Sequence, residues 1–325
     1  MTHSVRTRRK KERARKELNK RVTDLQVLVK KVDTEVIKLS HVSLGELRKA
    51  WRQSATDLPK ELVEKVAGFQ RIKVPKGGKG LIIQGSDGGL LVYSSHIDDK
   101  EMIDRYHDVT GRILTDRLYD SIQELPKPEN YIYRGRERSE YLVWHFCVWA
   151  KYSLLPFLSR EYRAHIKEAE RFFEINKGLF RKMSGILGQG APGVFKDFLN
   201  YPLPNRLKRL CDAWLGCVVN NGGNSPNHTN IHRDASEALY GYSGMVSCGD
   251  FERGGLILYE LEIIVEVEPG DCVIFQDAII HHSNEEAVGN RCSVVAFSQE
   301  NVYSYWNRKY NMELRRKGRG NKGER

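Results

Sequence analysis

The chain has 325 residues, 40 % of them hydrophobic, so it can bury a sizeable core and is not disordered as a whole. No run of 18 or more apolar residues occurs, which excludes a membrane-spanning helix, and no apolar leader stretch accompanies the basic residues from Arg6 onward. The net charge of +11 is concentrated at the ends: residues 1–22 carry +8, residues 308–325 carry +6, and the stretch between them carries −3.

In chain order, residues from Lys10 to about Val36 hold many helix formers. Leu25, Leu28, Val32 and Ile37 fall at helical spacing, so a basic helical arm over residues 1–40 is expected. "SLGELRKAWRQ" predicts a second helix, capped by Ser43 with Glu46 three residues on. "LIIQGSDGGLLVYSS" then reads as a hairpin turning at Asp87-Gly88-Gly89. Two helices are expected over Glu137–Ser159 and Arg160 to about Met183, the first aromatic-rich and packed on a sheet, the second broken by "GILGQGAPGVF".

From Trp214 the pattern changes to short β-branched and aromatic runs: "WLGCVV", "YSGMVSC", "GLILYE", "IIVEVE", "DCVIFQ" and "CSVVAFS". Helices first and strands later predict an α+β fold, a double-stranded β-helix (jelly-roll) core backed by helices. The expected division is a basic arm at 1–40, a catalytic domain at 41–307 with its β core mainly in 214–300, and a basic tail at 308–325. The six cysteines form no C-x-x-C pair, and reduced thiols in an intracellular protein are expected.

His232-Arg233-Asp234 fits two chemistries. A protein-kinase catalytic loop needs Asn five residues past the Asp, where this chain has Leu239. There is no early G-x-G-x-x-G, no V-A-I-K strand and no D-F-G, so the kinase reading fails. A non-haem iron site needs His-x-Asp, a distant second His, and a cation beyond it for the far carboxylate of 2-oxoglutarate. His232 and Asp234 form the pair, and His281 and His282 both stand about fifty residues on, after a Pro269-Gly270-Asp271 turn. Arg291 follows in Arg-x-Ser with Ser293. On spacing alone, His281 and His282 remain alternatives.

The order "HRD…GDFERGGLILYE…VEVEPGDCVIFQDAIIHHSN…GNRCSVVAF" resembles the Tet/JBP-type dioxygenases, especially the fungal Tet-like proteins that accompany transposons. The resemblance covers roughly residues 214–300; "GGLILYE" is one residue shorter than that family's pattern, and the loop "NNGGNSPNHTN" is long. In that family the distal ligand is followed by x-Asn, and an Arg comes nine residues later. His282-Ser283-Asn284 and Arg291 match, so the resemblance favours His282 over His281. A strand running through Ala278, Ile280 and His282 would also set these three on one face and His281 on the other.

Fe(II) bound by His232, Asp234 and His282 is the expected centre, with Arg291 and Ser293 holding 2-oxoglutarate. Asn220 is a further candidate for the co-substrate, and Asn221, His228 and Tyr240 are candidates for substrate contact. Tyr242 could stack on a base as well, and core packing is the leading reading for both tyrosines. The resemblance implies a methylated DNA base as substrate, most often 5-methylcytosine, with N6-methyladenine as the variant; such a base must leave the helix stack. The basic ends suit phosphate contacts or nuclear import, and a nuclear monomer is expected. The rival readings are a protein hydroxylase or RNA demethylase with the same iron site, or a catalytically silent transposon-derived DNA-binding protein.

Overall fold

The computed structural model describes residues 33–52, 58–97, 114–126, 142–150, 155–201, 203–204, 206–222 and 227–302. Both basic ends, and most of the expected N-terminal helix, lie outside the described residues. In chain order the strands are β1 (Thr34–Lys38), β2 (Gln70–Lys73), β3 (Gly80–Gln84), β4 (Leu90–His96), β5 (Leu142–Trp149) and β6 (Phe157–Leu158). Then come β7 (Gly216–Asn221), β8 (Asn227–His232), β9 (Ser243–Cys248), β10 (Phe251–Arg253) and β11 (Leu256–Leu258). The series ends with β12 (Ile263–Glu266), β13 (Asp271–Phe275), β14 (His282–Gly289) and β15 (Cys292–Phe297). The helices are α1 (Leu44–Arg52), α2 (Lys60–Glu64), α3 (Leu114–Gln123), α4 (Arg160–Ala164), α5 (Ile166–Ile175), α6 (Lys177–Gly190) and α7 (Pro192–Asn200).

The strands form a double-stranded β-helix. The larger sheet runs β1-β3-β4-β13-β9-β15-β7-β5-β6; the smaller runs β10-β14-β11-β12-β2, with β8 also paired to β14. Both are antiparallel except at the β1–β3 and β12–β2 pairs, which are parallel. Helices α3 to α7 cover the outer face of the larger sheet, whereas α1 packs against the inter-sheet core.

Period-two alternation splits each central strand between two cores. In β13, Cys272 and Ile274 join the helix-side cluster with Phe172, Phe180 and Trp214. Val273 and Phe275 join the inter-sheet cluster with Leu81, Ile83 and Leu258. Because both faces are covered, "DCVIF" is buried at every position and reads as a continuous apolar run.

Local expectations met two outcomes. Ser43 Oγ accepts from Glu46 N at 3.1 Å, so α1 is capped as expected. The hairpin turns at Asp87-Gly88-Gly89 with Gly88 at φ 73°, and Asp87 also accepts from Gly45 N at 2.9 Å, tying the turn to α1.

Three expectations are corrected. Thr34–Lys38 is a strand parallel to β3, not the end of an arm helix, so the folded body extends into the segment assigned to the arm. Residues 142–149 are strand β5, not a helix: "LVWHFCVW" has β-branched and aromatic residues on both faces, and it pairs with β7 over six positions. The single helix expected from Arg160 to about Met183 is three, α4 to α6, divided at His165 and Asn176; α6 runs past Met183 to Gly190, the break falls at Ala191 inside "GILGQGAPGVF" as expected, and Pro192 starts α7 at the position proline tolerates. The β core therefore begins well before residue 214, since β1 to β6 belong to the two sheets. Among the described residues no helix is long and apolar enough to cross a membrane.

Candidate metal centre

β8 ends at His232 and β14 begins at His282, and these two residues are Cα partners in the ladder. Their rings lie 4.4 Å apart, centroid to centroid. Asp234 sits two residues past the end of β8, in a turn held by Asp234 N donating to Asp277 O at 3.1 Å. Its Oδ2 lies 3.8 Å from His282 Nε2. One ligand atom from each of His232, Asp234 and His282 falls within 4.8 Å of the others. His281 is turned to Glu260 instead, with Nδ1 2.5 Å from Oε1. The strand alternation invoked for Ala278, Ile280 and His282 does not exist: Ile280 N bonds Gln276 O in a turn, and the strand starts at His282.

The ring nitrogens are pre-set for a metal. His232 Nδ1 lies 2.7 Å from Asn230 O, and His282 Nδ1 lies 3.0 Å from Ile280 O. A carbonyl oxygen only accepts, so each Nδ1 carries a proton and Nε2 is the nitrogen left to bind a metal. Burial, then the neighbouring His232, pushes the His282 pKa down to about 4, which keeps its imidazole neutral. Phe275 packs edge-on against the His282 ring at 5.0 Å.

A cavity of about 270 Å³ opens on the three ligands. Alternation along β15 aims Arg291, Ser293, Val295 and Phe297 into it, while Cys292, Val294 and Ala296 face the other way. Arg291 is 3 % exposed, donates from Nη2 to Ser247 Oγ at 3.2 Å and lies over the Phe251 ring. Gly254, at φ 78°, leaves room for it: a Cβ there would sit 3.2 Å from Arg291 Cδ. Ser293 Oγ accepts from Asn220 Nδ2 at 3.2 Å, and both line the cavity.

The three histidine and carboxylate donors match the facial set that Fe(II) takes, and a buried guanidinium on the same cavity matches a dicarboxylate co-substrate. The site fits Fe(II) and 2-oxoglutarate.

Three expected substrate contacts fall elsewhere. Asn221 is one residue out of phase with Asn220, so it points away; it donates to Gln123 Oε1 and accepts from Cys292 Sγ. His228 is half-buried and does not line the cavity. Tyr240 is 51 % exposed, with Arg48 stacked over its ring. Tyr242 is in the core as expected, its hydroxyl donating to Leu90 O.

Sequence reasoning missed several cavity residues: Glu237, Asp277, Gln299, His145 and Trp149. Glu237 Oε2, Asp277 Oδ2 and Gln299 Oε1 are buried and have no hydrogen-bond partner among the described residues. Burial and the neighbouring carboxylates raise the Glu237 pKa well above the ordinary range; burial and then Asp234 do the same to Asp277. A signal for Glu237 was present: an acid three residues past Asp234, beside the apolar Ala238-Leu239. His145 and Trp149 were hidden by the helical reading of β5; their rings stack at 5.7 Å.

No protein-family model matches this chain, and no curated protein sequence does. Among solved structures, the chain is similar to NgTET1 in complex with 5mC DNA, with a TM-score of 0.50, 13 % identity, and coverage of 78 % of this chain and 92 % of that one. It is also similar to OsALKBH1 (TM-score 0.37, 13 % identity, 64 % and 96 % covered). A 2OG-Fe(II) oxygenase family protein from Burkholderia pseudomallei follows (TM-score 0.35, 13 % identity, 56 % and 76 % covered). At such identities the likeness speaks for the fold, and of these three only NgTET1 matches well enough to support even that.

Proposed function

We propose that this chain is an Fe(II)- and 2-oxoglutarate-dependent dioxygenase that oxidises a methylated base in DNA, 5-methylcytosine first among the candidates and N6-methyladenine the alternative. The observation that carries the reading is that His232, Asp234, His282 and Arg291 all open on one cavity. The bound iron supplies the oxidation: dioxygen and 2-oxoglutarate become succinate and carbon dioxide, and one oxygen atom enters a substrate C–H bond.

The protein's residues then have separate tasks. His232, Asp234 and His282 would hold the metal. Arg291 pairs with the distal carboxylate, and Ser293, held by Asn220, adds a hydrogen bond. Phe297 and Val295 keep water from that wall.

Three further features support a base as substrate. The order of motifs from His232 to Arg291 resembles the Tet-like enzymes, and NgTET1, similar in fold, is described in complex with 5mC DNA. The oxygens of Glu237 and Gln299 are desolvated beside the metal site, and an amide oxygen can only accept. The Gln299 oxygen asks for a donor, which the exocyclic amine of cytosine or adenine supplies on a base flipped from the stack, and the Glu237 carboxyl, held neutral by burial, can accept or donate beside it. The basic ends offer phosphate contacts and suit a nuclear location.

The test is nucleoside mass spectrometry of methylated duplex DNA after incubation with enzyme, Fe(II) and 2-oxoglutarate. Oxidised methylcytosine, with succinate release above that on unmethylated duplex, is expected. Succinate release stimulated by peptides or by methylated RNA, and not by methylated duplex, would overturn the substrate.

A further inference from the structure

The two residues flanking His282 are both gripped by one short turn. After β11, Tyr259–Leu261 forms a single 3-10 turn. Tyr259 N donates to His281 O at 3.0 Å, and the Tyr259 hydroxyl lies 3.0 Å from Ser283 Oγ. Glu260 takes the rest: His281 N donates to Oε2 at 2.8 Å, and His281 Nδ1 lies 2.5 Å from Oε1. His282 itself pairs with Leu258 on one side and His232 on the other.

This arrangement has a mechanical consequence. His282 is the first residue of β14 and follows an irregular turn, so the regular strand lies only on its C-terminal side. Its pairing with β8 is also irregular, with a register shift between His282 and Asn284. Such a strand end is free to rotate unless something fixes the peptide before it. Tyr259 N holds the carbonyl of that peptide, and Glu260 grips the residue that carries it at two further points, the His281 N–H and the His281 ring.

We propose that Glu260 is a positioning residue for His282: by clamping His281 it fixes the torsions that aim His282 Nε2 at the metal. The inference rests on reading His282 as a ligand. His281, the other histidine of the pair, serves as the anchor and does not bind metal. Metal sites depend on such outer contacts, whose removal typically weakens metal binding by about 10- to 100-fold.

The experiment titrates the full-length, metal-free protein with Co(II), followed by visible absorption, in the wild type and in Glu260→Ala, Glu260→Gln and His281→Ala. Circular dichroism reports the folded fraction of each. Glu260→Ala is expected to bind Co(II) at least about 10-fold more weakly. Glu260→Gln is expected to recover part of this, since its amide oxygen still accepts from His281 N. His281→Ala keeps the backbone bond and loses the ring contact, and is expected to be weakened too; it carries the comparison if Glu260→Ala does not fold. Folded Glu260→Ala or His281→Ala with wild-type affinity, or a loss that only tracks the unfolded fraction, overturns the clamp. A wild type that takes up no Co(II) overturns the metal site itself, a result separate from the first.

Discussion

His232 and His282 face each other across the β8–β14 ladder, the last residue of one strand opposite the first of the other. Two strand ends meeting in this way place both imidazoles at an open mouth between the sheets. Asp234, just past the end of β8, closes the set. Replacing it removes a charged ligand and leaves the ladder intact. Asp234→Ala is expected to weaken metal binding by more than about 100-fold, beyond the range for outer contacts. Its melting curve without metal should stay close to wild type. A calorimetric titration beside a thermal melt checks both.

Arg291 is buried on the cavity wall, and a lysine at the same place would lack the planar fork. Loss of its charge-assisted contacts is worth about 1.5–3 kcal/mol, or roughly 10- to 150-fold in affinity. Arg291→Gln is therefore expected to raise KM for 2-oxoglutarate by that factor while Co(II) affinity holds. Steady-state succinate assays over a range of 2-oxoglutarate give the answer directly.

Glu237 and Gln299 are joined by an isolated bridge between their backbones and present their oxygens to the same cavity. Glu237→Ala is expected to cut oxidation of methylated DNA by about 10-fold or more, as one lost hydrogen bond to a charged or polar partner implies. Succinate release without substrate should persist. Equal loss of both would show that Glu237 acts on the iron end, not on the base.

Much of the site was legible because its chemistry is local in sequence. His-x-Asp and the Arg291-Cys292-Ser293 run are short, and alternation along β15 puts Arg291 and Ser293 on one face. Strands buried on both faces announced themselves as apolar runs, as "DCVIF" does. β5 did not: its aromatic residues suit a buried helix as well as a strand, and only pairing with β7 decides between them. β8 and β14 were missed because "NHTNIH" and "HSNEEAVG" are polar. They form strands because they pair with each other and, for β14, with β10 and β11. Asn221 was misplaced by one residue of phase, the smallest error that moves a side chain from one face to the other.

Arg71, on β2, reaches across the smaller sheet and grips Glu285 through both terminal nitrogens at 2.9 Å, with Nε on Glu266 at 2.7 Å. The hydrogen bonds from Arg71 hold the Glu285 carboxyl below its usual 4.5. A lowered carboxylate stabilises the fold above the unfolded pKa, and that contribution is lost as pH falls through the folded value. Arg71 is nearly half-exposed, so the pair is worth no more than about 1 kcal/mol. Glu285→Gln is expected to lower the melting temperature slightly at pH 7, with the gap to wild type closing as pH falls below the usual 4.5. Melts at a series of pH values test this.

The charge at the ends of the chain makes a claim independent of the iron. Residues 1–22 hold ten Lys and Arg against two Glu, whereas residues 23–307 carry −3. Each phosphate neutralised on duplex DNA adds about 0.9 to the slope of log affinity against log salt. If the N-terminal segment contributes up to about ten such contacts, deleting it should flatten the slope by several units. Catalysis on a short methylated duplex at low salt should survive, because every cavity residue lies beyond position 140. Fluorescence anisotropy at several salt concentrations measures the slope. An unchanged slope would move the segment's role away from DNA and toward import alone, leaving Arg233 at the cavity and residues 308–325 as the remaining candidates for phosphate contact.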